Sequence, residues 1–100
     1  MIYEYWLAGI KEISDRKKRI LRETYRSGKA IYYIEETALR PSEDISEKDI
    51  EILLKAKRKK DLKDKWKKLD EKHIQFIPYY VPEYPEKLKN IQDPPYALYV

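Results

Sequence analysis

Proline placement sets the first limit on how this chain folds. Five of the six prolines, Pro78, Pro82, Pro85, Pro94 and Pro95, fall in the last 23 residues, and only Pro41 precedes them. Proline lacks an amide hydrogen and clashes with the preceding helical turn, so no helix of ordinary length runs through that tail. Residues 1–72 escape this limit and are expected to form a helical bundle. Residues 73–100 are expected to form a short strand and a Pro-rich connector. At 100 residues the chain is one domain able to bury about two-thirds of its unfolded surface. With no cysteine it cannot build disulfides, thiolate metal sites or Cys nucleophiles, which fits a reducing, cytoplasmic setting. No apolar run approaches the roughly 18–20 residues of a membrane span, and residues 1–6 lack the character of a signal peptide.

Apolar spacing and caps place the elements. Ile2, Trp6 and Ile10, with Tyr3 and Leu7 beside them, mark a first short helix, with Gly9 as its end. Ser14-Asp15 supplies the N-cap of a second helix carrying Ile20, Leu21, Thr24 and Tyr25, which Ser27-Gly28 is expected to close. Ala30, Ile31 and Ile34 mark a third, and Arg40-Pro41 bars any helix from running on past it. Ser46-Glu-Lys-Asp49 reads as a capping box opening a helix with Ile50, Leu53 and Leu54 inward. Those three positions and the set Leu62, Trp66 and Leu69 project roughly 130° apart at 100° per residue, so one straight helix would bury two faces. Two helices with a break at Lys59-Lys60 are expected, the second capped by Asp61, with His73 completing its stripe. Residues 74–78 read as a strand bounded by Pro78, Pro85 starts a single turn with Leu88 and Ile91 on one face, and residues 97–100 begin a second strand. A strand beginning at that point implies the front part of something longer.

Charge is uneven. Lys+Arg number 22 against 18 Asp+Glu, a formal net charge of +4. Residues 45–72 hold 11 basic and 7 acidic side chains, whereas residues 73–100 hold 2 and 3. Two basic clusters are therefore candidate nucleic-acid contacts. The first contains Arg16, Lys17, Lys18 and Arg19, with Arg22 and Arg26; the second contains Lys57, Arg58, Lys60 and Lys63 within a longer Lys-rich run. Either can attract phosphates, while the plainer expectation for each is a solvated helix face. Arginine is scarce in the second, which favours diffuse phosphate attraction over bidentate base reading. Exposed tyrosines could stack on unpaired bases, but with a single Phe the ten tyrosines are also the main large side chains available for a core, Tyr25, Tyr84 and Tyr99 first among them. Trp6 and Trp66 lie on apolar stripes and are expected to be buried. The lone His73 has no partner for a metal and is expected to cap or pack, no serine has a base at hand, and two glycines cannot build a phosphate loop. No enzymatic activity, cofactor or metal is expected.

The tail carries a more specific pattern. Tyr84-Pro85, Leu88, Ile91, Asp93-Pro94-Pro95 and Leu98-Tyr99 stand at the spacing Tyr-Pro-x-x-Leu-x-x-Ile-x-Asp-Pro-Pro-x-x-Leu-Tyr. This run resembles the one that joins the N-terminal helical domain to the nucleotide-binding-type core in the DNA-processing protein A (DprA/Smf) family, with Val81 where the family has an Asp. More loosely, Trp6-Leu7 and Ile10, Glu12-Ile13-Ser14 and the basic stretch 16–26 resemble that family's first helix, hairpin and second helix, with both hairpin glycines replaced. Glu12 places a negative charge where those glycines would let a DNA phosphate approach. The resemblance implies a small SAM-like or helix-hairpin-helix-like bundle leading into a Rossmann-like core that would begin near Ala97. It further implies a role in natural transformation, protecting incoming single-stranded DNA and loading a RecA-type recombinase. In the family, strand binding and homodimer contacts lie mainly in that core. An interaction or scaffold domain without direct DNA contact is the alternative.

Overall fold

A computed structural model describes residues 1–100. Six helices account for most of the ordered chain: α1 (Ile2–Ala8), α2 (Asp15–Tyr25), α3 (Gly28–Tyr33), α4 (Glu47–Arg58), α5 (Leu62–Glu71) and the single turn α6 (Glu86–Lys89). A 3-10 turn at Glu36–Ala38 follows α3. Two short strands, β1 (Phe76–Pro78) and β2 (Ala97–Tyr99), pair antiparallel with Ile77 opposite Leu98. No helix is long and apolar enough to cross a membrane.

Caps explain most boundaries. The Ser14 hydroxyl accepts from the Lys17 amide at the start of α2. At α4 the Ser46 side chain accepts from the Asp49 amide while the Asp49 carboxylate accepts from the Ser46 amide, a complete capping box. Helix α5 ends with His73 in the left-handed region (φ 56°), where the His73 and Ile74 amides donate to Asp70 and Leu69 carbonyls in a Schellman arrangement. His73 thus closes the helix and is exposed, rather than extending its apolar stripe inward. Two other expectations need correction. Ser27-Gly28 opens α3 rather than closing α2; Ser27 caps the Ala30 amide, and Arg26 (φ 81°) is the residue that ends α2. Asp61 precedes α5 without a capping hydrogen bond and instead pairs with Lys65 at 3.1 Å.

The core forms around α1. Trp6, Leu7 and Ile10 meet Leu21 of α2, Ile31 of α3 and Ile50 and Leu53 of α4, and Tyr96 from the tail joins the same cluster. Burial raises the Tyr96 hydroxyl well above the usual tyrosine range, so it stays neutral inside. Trp66 is a correction: α5 has no buried residue, Trp66 is only partly covered beside Tyr5 and Phe76, and Leu62 packs half-buried against the core. Tyr99, expected inward, is 48% exposed, as is Ile91. Strand β2 and the turn after α6 lie at the margin, where no further layer covers them.

Candidate functional site

Helix α2 holds the first basic cluster, and its side chains have partners within the molecule. Arg16 meets Asp44 at 3.1 Å across an exposed gap. Lys17 Nζ donates to Asp49 at 2.8 Å, joining α2 to the capped start of α4. Lys18 is buried and donates to the Ala8 carbonyl at 2.7 Å, so its ammonium satisfies the C-terminal end of α1. Burial lowers the Lys18 pKa, opposed by Asp15 and Glu12. Arg19 donates to the Pro94 carbonyl and to Asp93 at 2.8 Å. Arg22 donates to Glu4 at 2.7 Å and lies 3.5 Å over the Tyr80 ring. This is neither a free phosphate patch nor a merely solvated face. Five cations tie α2 to α1, the loop before α4, α4 itself and the tail.

Two of the family-like positions, Asp93 and Pro94, are the far ends of the Arg19 tie. Tyr84 is buried and its hydroxyl donates to the Pro95 carbonyl at 2.8 Å. Pro85 precedes α6, whose Leu88 is half-buried, and Leu98 pairs with Ile77 in the sheet. Asp93, Pro94 and Pro95 therefore hold a docked connector rather than a free linker.

The second cluster divides. Lys57 turns back to donate to the Ile34 carbonyl at 3.0 Å, and burial lowers its pKa. Arg58 approaches Glu36 at 3.6 Å. Lys60 and Lys63 are exposed and make no ion pair, as are Lys67 and Lys68. Lys63 and Lys67 stand four apart on one side of α5, away from its apolar stripe.

A groove of about 690 Å³ lies between α1, α4 and α5. Tyr5, Ile10, Ile52, Leu62 and Leu69 form its apolar lining. Around the opening stand Lys11, Lys48, Lys55 and Lys59, all exposed and none in an ion pair, together with the paired Lys65 and Asp61 and with Glu12. Lys48, Ile52, Lys55 and Lys59 recur at i, i+4, i+7 and i+11, one face of α4. Sequence reasoning missed this face because it centred α4 on Ile50 and Leu53. The available signal was a second apolar pair, Ile52 and Ala56, four apart and interleaved with lysine. Tyr5 and Tyr99, which line the groove, join Trp66 and Phe76 in a partly exposed aromatic cluster with ring centroids 5.2–6.3 Å apart. No protein-family model, curated protein or solved structure matches the chain.

Proposed function

We propose that this chain is the N-terminal accessory module of a DprA/Smf-like protein, a SAM-like helical bundle that holds a cationic face beside a single-strand-binding, Rossmann-like core. In this reading the core carries most DNA contacts and any homodimer contact, and the whole protein acts in the cytoplasm during DNA uptake and RecA-type recombinase loading. The observation that carries the module's share is the set of unpaired lysines on and before α5: Lys60, Lys63, Lys67 and Lys68 have no carboxylate partner, whereas the α2 cations do. Lysines free of internal partners are the ones that can release counterions from a phosphate backbone. The docked connector supports the same reading, because Arg19, Asp93 and Tyr84 would hold the bundle at a fixed angle to a core joined at its C-terminal end.

The test is a salt titration of the chain with a fluorescent single-stranded oligonucleotide. Each phosphate contact adds roughly 0.7 to the log–log salt slope on single strands, so the triple substitution K60E/K63E/K67E is expected to lower the slope by about 2. Arg16→Glu is expected to leave it unchanged. An absence of binding at low ionic strength overturns direct DNA contact and favours the alternative of a protein-interaction domain, to which the apolar groove lends support.

A further inference from the structure

We infer that the groove between α1, α4 and α5 is a docking site for an amphipathic helix with acidic flanks, supplied by a partner protein. The inference does not rest on the DNA reading, since the lysines that reading uses lie outside the groove. Three features select the occupant. The lining combines aliphatic Ile10, Ile52, Leu62 and Leu69 with Tyr5 and Tyr99; its one tryptophan, Trp6, is only 7% exposed, and Tyr99, 48% exposed, is its most open ring. An apolar trough between helices fits the helix-in-groove mode, in which side chains at i, i+3 or i+4 and i+7 serve as anchors.

Charge supplies the second feature. Lys48, Lys55 and Lys59 line one edge over eleven residues of α4, about 16 Å at the helical rise, and Lys11 stands at the end of α1. None makes an ion pair, and with Asp61 and Glu12 the only carboxylates around the opening, an incoming row of Asp and Glu would meet a net positive edge. No arginine lines the groove, which matches flexible pairing with carboxylates better than fixed reading of phosphates. The third feature is cost. Ile52, Leu62 and Leu69 are already half-exposed, so an occupant gains their burial without opening the core.

The experiment titrates the full chain into a fluorescein-labelled synthetic helix bearing a leucine stripe flanked by glutamates, followed by anisotropy. A peptide with lysines in place of the glutamates and an oligonucleotide serve as rival probes. The acidic peptide is expected to bind at least about tenfold more tightly than the basic one, and Ile52→Glu is expected to weaken it by at least about tenfold, the size of a central contact. The double substitution K55E/K59E, confined to exposed positions, gives the same loss without touching apolar packing. K60E/K63E/K67E leaves peptide binding unchanged, which separates this site from the DNA reading. Equal binding of acidic and basic peptides, or indifference to both groove variants, overturns the assignment. So does an oligonucleotide that depends on Ile52, or a self-associated chain that Ile52→Glu renders monomeric in sedimentation.

Discussion

Gly28 shows how tightly single positions are constrained. A Cβ there would stand 2.6 Å from the Tyr3 carbonyl oxygen and 2.6 Å from Glu4 Oε2. Its backbone is not in the left-handed region, so the requirement is close approach rather than conformational freedom. The space is occupied by Glu4, a buried carboxylate that accepts from the Gly28 amide at 2.7 Å and from Arg22 Nε at 2.7 Å. A buried charge is tolerated when such partners surround it. Gly28→Ala is expected to cost about 1–3 kcal/mol, because backbone on one side and a held carboxylate on the other cannot both yield. Denaturant unfolding of the variant measures that loss as a fall in midpoint at unchanged slope.

At the scale of elements, α4 depends on its first turn. Burial pushes the Asp49 carboxyl upward, but hydrogen bonds from Lys17 and from the Ser46 amide outweigh it and hold the pKa below the ordinary value of 3.8. A carboxylate whose folded pKa is depressed contributes stability above its unfolded pKa and loses it as pH falls through the folded one. The capped start of α4 and its tie to α2 are therefore expected to weaken below about pH 4. Thermal melts from neutral to acidic pH check this: Asp49→Asn starts less stable at neutral pH and falls less steeply on acidification. Helix α5 lacks an equivalent anchor. Its stripe of Leu62, Trp66 and Leu69 reads as core in sequence, yet each is only half-buried. Truncating Trp66 therefore removes less than the several kcal/mol of a fully buried aromatic.

Across the whole molecule, the extents are 37 × 33 × 20 Å, so the chain is a slab about two helix layers thick. Such a slab leaves few positions covered on all sides. Stability then rests partly on ties between distant segments, among them Arg19 to Asp93 and Pro94, spanning 74 and 75 residues. Arg19 has only 16% of its side chain exposed, while that of Asp93 is 62% exposed. Arg19→Ala is expected to cost about 1.5–3 kcal/mol, the range for a hydrogen-bonded charge, and Asp93→Ala less, since the Pro94 carbonyl remains as acceptor. Hydrogen exchange locates the effect: faster exchange across residues 84–99 in Arg19→Ala, with α4 unaffected.

Much of the local architecture was legible. Ser14, the Ser46–Asp49 box, the break at Lys59-Lys60 and the tail prolines act within a few residues of themselves, so chain order alone determines the starts of α2 and α4, the helix break and the extended tail. Those signals are blind to what lies across the fold. That Tyr96 belongs to the core, that the α2 cations are internal ties and that Ile52 faces a lysine-edged groove depend on how helices pack, because burial and ion pairing are set by neighbours far away in sequence. Short-range chemistry along the chain sets where helices begin and stop. Packing between distant segments sets which lysines are held inside the molecule and which remain free to meet a partner.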